Sequence, residues 1–136
     1  MSARILVVDD EEDIRRLFAT VLRRRGYTVV EAADGETALA LVGQEAPDLV
    51  MLDVAMPGMS GVAVAVALAA DPATAHIPII IVSASGQRRQ VEKGLASGAY
   101  AYLVKPVELP DLLARVAEAL DQQGRLPTKW QQESPP

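Results

Sequence analysis

The sequence predicts an α/β fold, an open parallel β-sheet with helices on both faces. Three observations carry it. Four short runs, Arg4–Val8, Asp48–Leu52, Ile77–Val82 and Tyr100–Val104, are β-rich or almost continuously apolar, as strands covered on both faces must be. Helical patterns separate them, so that strand and helix alternate five times, which implies parallel strands joined by right-handed crossovers. The 136 residues amount to about one domain, which excludes a two-domain enzyme with a cleft between lobes.

The elements follow in order. Ile5–Val8 is too short for an export signal and stops at once in five acids, Asp9–Asp13. Ile14, Leu17, Phe18, Val21 and Leu22 then recur at helical spacing, giving one apolar face. Arg23, Arg24 and Arg25 precede Gly26, where cations favour a helix C-terminus, and this explains the basic cluster better than a nucleic-acid contact does. Tyr27–Ala32 is a weaker strand, with Thr28 and Glu31 marking a sheet edge. A helix is expected over Gly35–Glu45 and the third strand over Asp48–Leu52. Val62–Ala67 alternates with period two and would score as a strand. It is assigned to a helix because the alternation needs one there, alanine favours helix, and Ser60-Gly61 can cap its start. After the strand at Ile77–Val82 comes a polar helix over Gln87–Ser97, then Tyr100–Val104, then a helix over Leu109–Gln122 with Leu112, Leu113, Val116 and Leu120 on one side. The folded domain is expected to be residues 1–122. The Gln- and Pro-rich stretch 123–136, containing Trp130, reads as a flexible tail or truncated linker.

Composition removes further classes. The absence of cysteine rules out disulfides, thiolate metal sites and cysteine nucleophiles, and fits a reducing cytosol. The single histidine, His76, reads as a loop residue and leaves little room for a multi-histidine metal site. Eighteen acids against 13 bases give a net charge of −5, which disfavours direct contact with nucleic acid. No apolar run approaches the ~20 residues of a membrane helix. A soluble cytoplasmic domain with no membrane contact is expected.

In an open parallel sheet, ligands bind beyond the carboxyl ends of the strands. After the first strand come Asp9 and Asp10, after the third Asp53, after the fourth Ser83, and after the fifth Lys105 and Pro106. Each has a plain alternative: Asp10 as the cap of the first helix, Asp53 as a turn cap, Ser83 as the cap of the next helix, Lys105 as a solvated lysine. Together they place carboxylates, a hydroxyl and an ammonium on one rim. Crowded carboxylates repel, and a hard divalent cation relieves them. Mg²⁺ fits best, because it accepts one or two carboxylates and leaves positions for phosphoryl oxygens. A carboxylate beside Mg²⁺ and a lysine is a plausible nucleophile toward phosphorus.

At these residues the chain resembles the receiver domains of two-component response regulators. The resemblance is carried by Val7-Val8-Asp9-Asp10-Glu11, Leu52-Asp53-Val54-Ala55-Met56-Pro57-Gly58-Met59-Ser60-Gly61, Val82-Ser83-Ala84 and Gly98-Ala99-Tyr100-Ala101-Tyr102-Leu103-Val104-Lys105-Pro106, and spans Arg4 to Leu120. It implies a flavodoxin-like doubly wound (βα)5 sandwich with strand order 2-1-3-4-5. It also implies that Asp53 is the phosphoacceptor, charged from a phosphohistidine of a histidine kinase or phosphotransfer protein. Asp10, Asp53 and the carbonyl of Ala55 would bind Mg²⁺ directly, and Asp9 through water. Lys105 would pair with the phosphoryl group, Ser83 would hydrogen-bond it, and the Tyr102 ring would swing inward as Ser83 moves. The Lys105–Pro106 bond is expected to be cis. Such a domain would signal to a downstream protein target and catalyse only its own phosphotransfer and autodephosphorylation, so it would not be an enzyme in the usual sense.

Rival readings are a degenerate receiver acting as a phosphorylation-independent interaction module, a flavin-binding module and an aspartyl-phosphate phosphohydrolase. The acids Asp9–Glu12 would repel a flavin phosphate, and Ala55 breaks the Asp-x-Asp motif of the hydrolase. Three departures from the receiver pattern matter. Ala55 has no side chain to order or block an attacking water. Tyr100 and Ala101 stand where dimer-forming, DNA-binding members often carry paired aspartates. No residue from Val54 to Ala70 is charged, so Ala63, Val66, Ala67 and Ala70 would make an apolar outer face, a candidate docking patch or weak homodimer contact.

Overall fold

The structure is a computed structural model and describes residues 2–122; the predicted tail 123–136, with Trp130, lies outside the described residues. Five strands, β1 (Arg4–Val8), β2 (Thr28–Ala32), β3 (Leu49–Leu52), β4 (Ile79–Ser83) and β5 (Ala101–Val104), alternate with α1 (Glu12–Arg24), α2 (Gly35–Glu45), α3 (Gly61–Ala70), α4 (Arg88–Ala96) and α5 (Leu109–Gln122). The sheet is parallel throughout and ordered β2-β1-β3-β4-β5, as the flavodoxin-like expectation required.

Alternate strand residues feed two cores. Ile5, Val7, Leu49, Met51, Ile80 and Val82 pack against Phe18, Ala19 and Leu22 of α1 and Leu112, Val116 and Leu120 of α5. Leu6, Val8, Val50, Leu52, Ile79 and Ile81 pack against Ala38 and Val42 of α2 and Val64, Ala65 and Leu68 of α3. β1, β3 and β4 are covered on both faces, which is why their sequences show no polar alternation.

One predicted face needs correcting. In α1 the buried residues are Phe18, Ala19 and Leu22, whereas Leu17 is 50% exposed. Leu17 and Ala19 lie on opposite margins of the Phe18–Leu22 stripe, and the helix is rotated toward Ala19, whose small side chain lets it approach the sheet.

α3 is helical despite its alternating sequence. Ser60 Oγ accepts the Ala63 N–H at 3.2 Å, and Val64, Ala65 and Leu68 form the buried stripe. Ala63, Val66, Ala67 and Ala70 are exposed, Val66 by 51%. At the end of α1, Gly26 takes φ 94°, a left-handed conformation that lets the chain reverse into β2.

Candidate functional site

The functional side chains sit where strand ends are tied to neighbouring strands. The Asp9 N–H donates to the Ala32 carbonyl at 3.1 Å, the Asp53 N–H to Val8 at 3.0 Å and the Lys105 N–H to Ser83 at 2.8 Å. These bonds hold the first residues beyond β1, β3 and β5 at one end of the sheet. There one carboxylate oxygen from each of Asp9, Asp10 and Asp53 lies within 4.8 Å of the other two. Asp9, Asp53 and Ser83 are buried, while Asp10 is exposed.

Lys105 Nζ lies 2.9 Å from Asp9 Oδ2 and 3.7 Å from Asp53 Oδ1, so its shorter contact is with Asp9. The other Asp9 oxygen accepts the Glu11 N–H at 2.9 Å. Asp10 therefore does not cap α1; its N-cap residue is Glu11, which makes no side-chain cap bond. Nor does Ser83 cap α4, where Gln87 holds the cap position. Ser83 Oγ instead accepts the Ser85 N–H at 3.2 Å.

Burial pushes the Asp53 carboxyl up to about 6; the Lys105 ammonium opposes this, the charges of Asp9 and Asp10 add to it, and the Ala55 N–H opposes it. Burial alone would lower the Lys105 pKa, but its bond to Asp9 and the charges of Asp53, Asp9 and Glu11 hold it above its usual value. Three clustered carboxylates with one of them reluctant to ionise are a donor set suited to a hard divalent cation, so the residues fit Mg²⁺.

Tyr102 stands outside the acidic cluster. Its hydroxyl donates to the Ser85 carbonyl at 2.7 Å, tying it to the loop that Ser83 begins. Its ring lies against Gly94, where a Cβ would come within 2.7 Å of Tyr102 Cδ2. The Lys105–Pro106 peptide bond is cis. Ala55 is exposed beside the site.

Two residues at this rim escaped the sequence reading of chemistry. Gly61 donates its N–H to the Val54 carbonyl at 3.0 Å, and a Cβ there would overlap the Asp53 carbonyl oxygen. The signal available was a glycine at a helix start shortly after the candidate nucleophile. Arg15 donates through Nη1 to the Asp9 carbonyl at 3.0 Å and through Nε to Glu31 Oε1 at 3.1 Å. Its signal was positional: Arg15 precedes Ala19 and Leu22 at i+4 and i+7, on the side of α1 that faces the sheet.

Residues 5–117 match the response regulator receiver domain family. The response regulator PleD of Caulobacter vibrioides is 47% identical over 116 residues, covering 85% of this chain and 26% of PleD. Two solved structures superimpose closely. One is a response regulator from Chloroflexus aurantiacus, with TM-score 0.86 and 34% identity over 89% of this chain and 99% of that one. The other is the chemotaxis protein CheY4 of Vibrio cholerae, with TM-score 0.83 and 32% identity over 88% and 99%. The chain spans about a quarter to half the length of the curated relatives it matches. No helix among the described residues is long and apolar enough to cross a membrane. With the parallel sheet, the acidic rim and these matches in agreement, the chain belongs to the response regulator receiver domain family.

Proposed function

We propose that the chain is a phosphoacceptor switch of a two-component system, with Asp53 as the nucleophile. The observation that carries this reading is a buried carboxylate whose pKa is raised to about 6, set between two further carboxylates and a lysine 3.7 Å away. A carboxylate that is costly to keep ionised is a stronger base and a better nucleophile than an ordinary aspartate. An Asp53 oxygen attacks the phosphorus of a phosphohistidine on a histidine kinase or phosphotransfer protein. The P–N bond breaks, the electron pair leaves on the imidazole, and an acyl phosphate remains on Asp53.

Asp10, Asp53 and the Ala55 carbonyl would hold Mg²⁺ directly, and Asp9 through water; the ion would supply charge neutralisation for the phosphoryl oxygens. Lys105 provides a second positive charge on the same oxygens. The phosphoryl group adds roughly −1.5 to −2 charge and three acceptor oxygens, which draws Lys105 away from Asp9 and Ser83 toward Asp53. Movement of Ser83 disturbs Ser85, to which Tyr102 is bonded, and so repacks the α4 and β5 surface for a downstream protein target. The domain would act in the cytoplasm and catalyse only its own phosphotransfer and autodephosphorylation.

The test is incubation with acetyl phosphate and Mg²⁺ followed by intact-protein mass measurement. A gain of one phosphoryl group, lost in Asp53→Ala, is expected. No gain in the unmodified chain, or a gain that survives Asp53→Ala, overturns the reading; the first result favours a phosphorylation-independent interaction module.

A further inference from the structure

Asp9 has every polar group engaged: its N–H on Ala32, one carboxylate oxygen on the Glu11 N–H, the other on Lys105, and its carbonyl on Arg15. Three of these contacts use backbone or the site's own lysine. The fourth comes from a side chain that touches none of the three carboxylates among its hydrogen bonds. Arg15 is a partly buried arginine, its side chain 14% exposed, and its one guanidinium joins β2 to the β1–α1 turn, with Nε on Glu31 and Nη1 on the Asp9 carbonyl. Glu31 is steadied in turn by Arg23 at 3.5 Å.

This bond bears on Asp10. The exposed Asp10 sits between the Asp9 carbonyl, held by Arg15, and the Glu11 N–H, held by Asp9 Oδ1. With both flanking peptide groups fixed, the direction in which the Asp10 Cα–Cβ bond leaves the backbone toward the acidic cluster is fixed as well. We propose that Arg15 is a positioning residue for the divalent-cation site, setting the β1–α1 turn so that Asp9 and Asp10 converge on Asp53. The proposal rests on the Mg²⁺-binding reading given above. A planar fork is needed because one group must reach a carboxylate on β2 and a carbonyl in the β1–α1 turn, and the single ammonium of a lysine lacks that geometry.

The sign of the effect separates this role from two simpler ones. If Arg15 acted only through its charge, removing it would leave the acids more negative and tighten Mg²⁺ binding. If it acted only in folding, its loss would lower Tm and leave the Mg²⁺ affinity of the folded chain unchanged. Positioning residues that orient metal ligands lose about 10-fold or more in metal affinity on substitution.

The experiment is an Mg²⁺ titration of the ¹⁵N-labelled chain, reading Kd from amide shifts, with Tm measured alongside. Arg15→Met and Arg15→Lys are each expected to weaken Mg²⁺ about 10-fold. Arg23→Gln, which removes a cation from the same helix and from Glu31 but no bond to Asp9, should change Kd less than about twofold. Arg15 variants that bind Mg²⁺ as tightly as the unmodified chain, or more tightly, overturn the proposal, and Arg15→Lys decides it should Arg15→Met not fold. An unmodified chain that shows no Mg²⁺-dependent shifts overturns instead the metal-site reading on which the proposal stands.

Discussion

Asp53 is held in a state that opposes folding. Its carboxyl titrates near 3.8 when unperturbed and is pushed up to about 6 in the folded chain, by burial first, with Lys105 opposing the rise and Asp9 and Asp10 adding to it. Below both values the group is protonated in either state and contributes nothing. Between them the folded chain holds the proton that the unfolded chain has lost, so stability falls as pH rises, and above about pH 6 the whole penalty stands. A shift of about two units amounts to on the order of 2–3 kcal/mol. In EDTA, Asp53→Asn is therefore expected to unfold at a higher temperature than the unmodified chain at about pH 7.5, with the gap closing toward about pH 4.5. Thermal melts across that range check it, and a gap independent of pH would remove the explanation. The identities of Asp9, Asp53, Ser83 and Lys105 were legible in the sequence because each ends an apolar run, and parallel strands deliver their ends to one rim. The resting contact of Lys105 with Asp9, and the raised pKa of Asp53, were not legible. Both depend on side-chain distances of a few ångströms set by all five strands together.

The elements constrain the site through close backbone approach as well as through side chains. α3 begins against the Asp53 peptide, and only the missing Cβ of Gly61 allows it, with the Gly61 N–H bonded to Val54. Gly61→Ala forces either the helix start or the Asp53 carbonyl to move. It is expected to cost about 1–3 kcal/mol, as overpacking does, and to slow phosphorylation by acetyl phosphate. Gly43, in α2, has nothing within 4 Å of a Cβ, so Gly43→Ala is the contrast: it should raise stability by roughly 0.5–1 kcal/mol and leave phosphorylation unchanged. Denaturant melts and initial phosphorylation rates on the two variants check both halves, and a Gly61→Ala protein that matches Gly43→Ala in both would refute the contact argument. The same helix shows how far local pattern reaches. Val62–Ala67 alternates like a strand, yet Ser60 caps it and Val64, Ala65 and Leu68 give it a helical buried stripe. Its assignment came from the succession of elements, which is global, supported locally by alanine's helix preference and the Ser60 cap, whereas its periodicity was misleading. Leu17 shows the reverse limit: its spacing fits a helix face, but the helix is rotated toward Ala19, a choice made by packing against the sheet.

At the scale of the whole molecule, the site and the fold are linked because the acids meet only in the native state. Asp9 and Asp10 follow β1, Asp53 follows β3, and more than forty residues of chain separate them in the unfolded state. A divalent ion that needs both sets therefore binds the folded chain alone and stabilises it by about 2.7 kcal/mol at a concentration 100 times its Kd. The net charge of −5 adds only a general attraction for cations, which screening by ordinary salt reproduces. The specific part is separable: MgCl₂ should raise Tm further than NaCl of equal ionic strength, and the excess should follow a single-site saturation curve. Asp10→Asn isolates it further. Asp10 is exposed, so its replacement should leave Tm nearly unchanged in EDTA while removing most of the Mg²⁺-dependent gain. Equal stabilisation by the two salts, or a gain that survives Asp10→Asn in full, would mean that Mg²⁺ acts on the acidic surface as a whole. The expected result ties the penalty at Asp53 to its remedy. On the proposed function, the ion that would let Asp53 accept a phosphoryl group would also relieve the cost of keeping that carboxylate buried and ionised, so the stability missing in EDTA above about pH 6 should return when Mg²⁺ is added.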